Sequence, residues 1–440
     1  MSNSGITSTA PVVEPPWPQP RLAAAFTLVM LLAATVSFVH RFLPAVMVDP
    51  IKAEMHITDV QFSLIQGTAF SLLYVVASLA CGFLADRTVR RNLMVAGVIT
   101  WTVGTMLFGM ATSFEGLLAS RAMVGLGEAT LGPASISMLC DYFPPHRRGR
   151  AIAVSFFGAT LGSSLAFAAG GWLLDAAQAG QFAALPWLGT LTPWRQVVVM
   201  MGATGFLLVP ALLSFAEPAR RGWSNSSTRS SPVADLWALR DRLGLVILAG
   251  ACVALADFGY SIWATALLTR TFQFSSSEAG STLGLAMLVC GVGGGWLGGV
   301  LCDRAHARGG SPARVGVVMW AAAAMLVFAG LLLVPAGWAA VASFAMWQMA
   351  ANVAYVACAS SLQDMVTNRT RGLAAALSLC ASIGFGLGFG PTSVAALNQA
   401  LGRGQDALGM SLLIVLLAAG TLTFGSAALL RSRLRRVAAA

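Results

Sequence analysis

Runs of about twenty apolar residues recur from one end of this chain to the other, and that recurrence restricts the fold more than any single motif does. A bilayer hydrocarbon core of about 30 Å takes about 20 helical residues per crossing. Segments at 22–48, 59–85, 91–111, 114–141, 149–175 and 194–216 each meet that length, and a second set follows at 244–270, 277–302, 312–335, 338–365, 371–398 and 406–431. The pattern predicts an all-α integral membrane protein of twelve spans, numbered here 1 to 12, in two sets of six. Composition agrees: 57% of residues are hydrophobic and 10% charged, too little polar surface for a soluble domain of 440 residues.

The formal charge of +10 would suggest nucleic acid in a soluble chain, but its placement points to orientation, and no nucleic-acid partner is expected. Of 27 basic residues, 21 fall in the termini and in loops 2–3, 4–5, 6–7, 8–9 and 10–11, four (Lys52, Arg195, Arg270, Arg403) at the opposite loops, and two (Arg41, Arg121) inside spans. The positive-inside rule then puts both termini in the cytoplasm and the chain in the inner (plasma) membrane. Residues 1–20, with "PVVEPPWPQP", read as a disordered cytoplasmic tail without a cleavable signal. Residues 21–217 form the first six-helix set, 218–243 a central cytoplasmic linker, 244–431 the second set and 432–440 the cytoplasmic C-terminus. The seven cysteines lie in or beside spans without metal-ligand spacing, so neither metal nor disulfide is expected.

The two sets repeat each other. At a shift of 217 residues "GFLADR" (82–87) falls on "GVLCDR" (299–304), and at a shift of 223 "DYFPPHRRGRA" (141–151) falls on "DMVTNRTRGLA" (364–374). Two parallel six-helix bundles around a central site form an alternating-access architecture.

Five ionisable groups lie well inside spans: His40, Arg41, Arg121, Glu128 and Asp257. Each costs about 2.5–3.5 kcal/mol at the bilayer centre on insertion scales, so each is expected to face the cavity with a partner. Arg121 and Glu128, seven apart, share one helix face at about 10 Å, too far for a direct pair in a straight helix. Arg41 is the expected partner of Glu128. A carboxylate balanced between desolvation and a nearby guanidinium suits proton coupling, with Arg121 tuning it or holding an anionic head group. A network that only fixes helix packing is the competing explanation. The 223 shift puts Phe344 and Ala351 where Arg121 and Glu128 stand, so coupling is assigned to the first bundle. His40 aligns with Asp257 at the 217 shift, offering titratable groups at equal depth. In the second bundle Tyr260, Trp263, Trp347, Asn352 and Tyr355, with Arg41 and Arg121 opposite, are the candidate cargo-cavity residues.

Between spans 2 and 3, Gly82, Asp86, Arg87, Arg90 and Arg91 match the pattern G-x-x-x-D-R-x-G-R-R, with Val89 at its second Gly. In this the chain resembles the major facilitator superfamily over nearly its whole length. The resemblance implies a cytoplasmic gate in which Asp86 and Arg90 contact the neighbouring bundle and helix ends. Arg87, Arg91, Asp141, Arg148 and, in the repeat, Asp303, Arg304, Asp364 and Arg371 complete that charged set. "RAMVGLGEA" followed by "DYFPPHRRGRA" and "FFGATLGSSLAFAAGGWLL" is similar to the Spinster-like transporters of lysolipids and sphingoid lipids. Organic anion to cation symporters share the Arg-to-Glu spacing and are the second family implied, with a carboxylate or sugar acid as cargo. Spinster relatives usually carry an acidic residue where His40 stands. The family's antiporters favour a Pro where span 5 has Ser163, so that motif does not support antiport.

No G-x-S-x-G, H-E-x-x-H or nucleotide-binding glycine loop occurs, so neither an enzyme nor a nucleotide-driven pump is expected. The expectation is a monomeric secondary transporter that needs no cofactor, runs on a proton or other ion gradient, and has the lipid bilayer and a small-molecule solute as partners.

Overall fold

The computed structural model describes residues 17–220, 232–367, 370–402 and 407–439. The tail expected over 1–20 and the centre of the linker lie largely outside these residues. Ten helices are long and apolar enough to cross a bilayer. One of them, Ser276–Leu333, reverses at Gly309 and Gly310, where φ is −161° and +60°. Only glycine adopts the second conformation without strain, so this helix is two spans, 8 and 9. Span 4 is a further crossing, divided into Phe114–Glu128 and Leu131–Tyr142. The total is the expected twelve, in two pseudo-symmetric bundles of six, and no strand occurs among the described residues.

Span 4 breaks for local reasons. Pro133 has no N–H for the Ala129 carbonyl, and just before it the Thr130 hydroxyl bonds the Gly127 carbonyl at 2.9 Å. Gly125 and Gly127 let neighbouring backbones close on the break. A Cβ at Gly125 would lie 2.3 Å from the Phe70 carbonyl of span 2, and one at Gly127 would lie 2.5 Å from the Trp101 nitrogen of span 3.

Spans 2 and 11 each contain one widened π-helical segment, Leu64–Ala69 and Ser382–Leu387. The two face each other across the bundle interface. Thr68 donates to the Gly388 carbonyl at 2.8 Å and Ser63 to the Pro391 carbonyl at 3.1 Å. Toward the end bearing loop 1–2, further contacts join the bundles: Arg270 to Asp49 (2.8 Å) and Asp59 (3.1 Å), Asn398 to Asp59 (3.1 Å), and Asp175 to the Ser277 amide (2.8 Å). At the other end, which holds the linker, the ion pairs run within one bundle: Arg90 with Asp141 and Glu217, and Arg314 with Asp364. The bundles are thus fastened at the loop 1–2 end.

Candidate functional site

Span 1 is Pro20–Val46 with Pro44 inside it. Pro44 cannot donate to the His40 carbonyl, so the helix presents a free acceptor in the middle of the bundle. Arg121 fills that vacancy: its Nη1 donates to the His40 carbonyl at 3.2 Å and its Nη2 to the Arg41 carbonyl at 3.1 Å. The Arg41 carbonyl also accepts from Gln66 of the span 2 π-segment at 2.6 Å. Arg121 is thus fully buried and held by span 1 backbone; the carboxylate seven residues further on is not its direct partner.

Glu128 meets Arg41, as the intramembrane charges require. Arg41 approaches one oxygen only: Nε is 3.0 Å from Oε2 and Nη2 reaches the same atom. Glu128 Oε1 is buried with no hydrogen-bond partner. The Arg41 guanidinium lies within 4.4 Å of the Phe38 ring centre, 4.7 Å of Phe70 and 5.6 Å of Tyr74. Such an aromatic cage supports a cation even when its carboxylate is neutralised. Gln66, Phe38, Phe70 and Tyr74 are site residues that the charge-based reading of the sequence missed; a glutamine in an apolar span was the available signal for the first.

His40 departs from the expectation that it faces the cavity. Its Nε2 lies 2.9 Å from the Met201 carbonyl and 3.5 Å from the Thr204 hydroxyl, so the ring is buried against span 6, within its own bundle. Asp257 lies in span 7 beside Gln348 and Tyr355 of span 10. The equal depth of His40 and Asp257 therefore does not become a contact.

Three of the five second-bundle cavity candidates are packing residues. Tyr260 is buried, donates to the Ala340 carbonyl at 3.3 Å and meets Phe344 edge-on. Trp263 is buried and donates to the Pro391 carbonyl at 3.0 Å, which anchors span 7 to span 11. Trp347 is fully buried beside Tyr260. Asn352 and Tyr355 are partly exposed.

The gate residues also differ from the family-based expectation of contacts between bundles. Arg90 is buried with Asp141 (2.5 Å), Ser137 (2.9 Å) and Glu217 (2.6 Å), all in the first bundle. Asp86 is exposed, and it is its backbone carbonyl that accepts from Arg220. Arg91 reaches the Phe215 carbonyl at 3.1 Å, Arg148 the Phe143 carbonyl at 2.9 Å, and Arg87 lies 3.8 Å from the Phe83 ring centre. In the repeat Asp364 binds Arg314 at 2.5 Å, while Asp303, Arg304 and Arg371 are exposed; in the first copy a Cβ at Gly82 would meet nothing within 4 Å. Among the described residues, Arg90, Arg91, Arg148 and Arg314 each bond within their own bundle. Glu217, absent from the sequence-based set, completes the Arg90 site from the end of span 6.

Comparison with known proteins agrees with this geometry. The Major Facilitator Superfamily matches residues 29–391. An MFS-type efflux pump of Mycolicibacterium smegmatis is 30% identical over 414 residues, 91% of this chain and 90% of that protein. Human protein spinster homolog 1 is 29% identical over 261 residues, 57% of this chain and 47% of that protein. The crystal structure of a bacterial homologue of the human lysosomal transporter Spinster, inward-facing and unoccupied, superposes with a TM-score of 0.77 at 25% identity, covering 95% of this chain and 98% of that one. A repeated bundle, an arginine-paired glutamate in span 4 and this match together make the chain a multi-pass membrane transporter of the major facilitator superfamily, Spinster-like within it.

Proposed function

We infer that the chain moves an anionic or amphiphilic solute, of the lysolipid or sphingoid kind, by proton-coupled alternating access, with Glu128 as the proton carrier. The observation that carries this reading is the one-sided Arg41–Glu128 pair. Oε1 is unpartnered beside a guanidinium that the other oxygen holds. A proton arriving on Glu128 cancels the attraction and leaves Arg41, supported by its aromatic cage, to attract an anionic group. The Glu128 carboxylate and the cargo anion then compete for one cation, so proton uptake promotes cargo capture, which is a coupling rule. Arg121 tunes the pair by holding the span 1 backbone, and the excess of basic residues in the loops on the linker side supports placing the linker and both termini in the cytoplasm of a plasma membrane. On that orientation the fastened loop 1–2 end faces outward. A monomer suffices, driven by an ion gradient and without a cofactor; the membrane potential supplies about 2.3 kcal/mol per charge per 100 mV.

The test is uptake of labelled lysolipid into vesicles under an imposed pH gradient, with native chain and Glu128→Gln. Gradient-driven uptake is expected to vanish in the variant while counterflow exchange persists. Gradient-driven uptake at the native rate would overturn the proton assignment, and competition by small carboxylates but not by lysolipid would transfer the cargo to organic anions.

A further inference from the structure

The second bundle carries a carboxylate that this coupling step does not use. Asp257 lies in the middle of Arg240–Phe272, with its Oδ1 buried and without a hydrogen-bond partner. Among the described residues no salt bridge reaches it; the ion pairs of span 7 are at its two ends, at Arg240 and Arg270. Its neighbours are neutral. The Gln348 amide beside it also donates to Ser261 Oγ at 3.1 Å, Asn352 donates to the Gln348 carbonyl at 2.8 Å, and Tyr355 lies close enough to feel the Asp257 charge.

Two further observations direct this group toward the cavity. Asp257, Asn352 and Tyr355 remain partly exposed at mid-span, whereas the adjacent Tyr260, Ser261 and Trp347 are buried. Phe42 and Phe258, the residues following Arg41 and Asp257, stack across the bundle interface with ring centres 6.2 Å apart and planes at 16°. Arg41 and Asp257 are therefore carried at one level on facing helices of opposite bundles. An ionised carboxylate in a neutral, low-dielectric wall is costly unless a cation compensates it, and among the described residues none pairs with it.

We propose that Asp257, with Gln348 and Tyr355, is a cation-recognition site that takes an ammonium group of the cargo. This rests on the reading of the chain as a carrier of amphiphiles, and adds that the cargo bears a positive group opposite the anionic group drawn to Arg41. Carboxylate charge, the Tyr355 ring face and the amide carbonyl chemistry of Gln348 all suit an alkylammonium.

The experiment titrates the purified full chain in neutral detergent with decyltrimethylammonium, decyl sulfate and sodium chloride, read by intrinsic tryptophan fluorescence, to which Trp263 and Trp347 contribute from the site's own spans 7 and 10. Asp257→Asn should weaken decyltrimethylammonium about tenfold or more and leave decyl sulfate unchanged, which also reports that the variant is folded. Asp257→Glu should retain the ammonium response. In the native chain, decyltrimethylammonium should shield Asp257 from carbodiimide labelling, a readout that needs no variant. Equal ammonium affinity in native and Asp257→Asn chains overturns the site, and loss of a sodium response alone overturns the assignment to cargo. Equilibrium binding uses no gradient, so these outcomes stand whether or not Glu128 carries the proton.

Discussion

Arg41 binds Glu128 through a single carboxylate oxygen: Nε and Nη2 both reach Oε2, and Oε1 is left without a partner in the interior of the first bundle. A two-oxygen fork would hold the pair more tightly. The observed geometry leaves one oxygen ready for a proton and makes the pair easier to separate, which suits an element that must change state during a cycle.

Removing one member of that pair leaves an uncompensated buried charge. Arg41→Ala is expected to destabilise by about 3–5 kcal/mol, and Arg41→Ala combined with Glu128→Ala by clearly less than the sum of the single variants. Thermal unfolding of the four chains in detergent checks this. Additive losses would mean that the two side chains do not interact.

Arg121 owes its position to Pro44, which frees the His40 carbonyl that Arg121 caps at 3.2 Å. Arg121→Ala should cost about 1–3 kcal/mol, the penalty of leaving a buried acceptor unmet. Introducing Pro44→Ala supplies a backbone N–H for that carbonyl, so the same arginine substitution should cost less in its presence. A loss of equal size in both backgrounds, measured by chemical unfolding, would show that Pro44 does not create the acceptor.

These residues also mark how far the sequence could be read. The spans were legible because lipid imposes their length and apolarity, and the Arg41–Glu128 pair because an intramembrane charge needs a partner of opposite sign. The Arg121 contact depends on a proline four residues after His40, a signal present in "HRFLP" but hidden when only charges are counted. Glu217 and Asp59 sit at span ends, where a carboxylate looks like ordinary surface. Tyr260, Trp263 and Trp347 carry polar tips that suit a cavity wall, but a buried backbone carbonyl satisfies the tips of Tyr260 and Trp263. Contacts across the gate were not legible at all, since they depend on which end of the molecule is open.

Gly67 tests the seam between the two π-segments. A Cβ there would lie 2.4 Å from the Leu387 carbonyl oxygen, a backbone atom that cannot swing aside. Gly67→Ala should destabilise this closed seam by about 1–3 kcal/mol. Gly82→Ala, with nothing within 4 Å of the new methyl, should be near neutral despite its place in the signature motif. Thermal unfolding of the two variants decides this; equal losses would remove the packing argument.

Glu54 gives a pH dependence outside the membrane-spanning segments. Burial alone would raise its carboxyl, but hydrogen bonds from Thr192 (2.6 Å), Arg195 (2.7 Å) and Trp194 (2.6 Å) outweigh this and hold it below its ordinary value of 4.5. A lowered folded value means the carboxylate's contribution is complete above 4.5 and fades as pH falls through the folded value. The unfolding temperature of Glu54→Gln should therefore fall below that of the native chain at neutral pH and converge on it in acid. A constant gap across that range would deny the linkage.

Arg270 is the clearest fastener of the loop 1–2 end, because it draws Asp49 (2.8 Å) and Asp59 (3.1 Å) of the first bundle onto span 7 of the second. Lys52 and Asn398 also hold Asp59, so loss of Arg270 should loosen this end without unfolding it. These groups are partly exposed, and screening keeps each pair weak, which suits contacts that must break once per cycle. Arg270→Gln is thus expected to move the population toward opening at this end. Spin labels at the exposed positions Ala53 and Glu278, one on each bundle, should report a longer distance component in the variant than in the native chain. Unchanged distances would mean that the hydrogen-bonded seam around Thr68 and Gly388, and not the ion pairs, keeps the bundles together there.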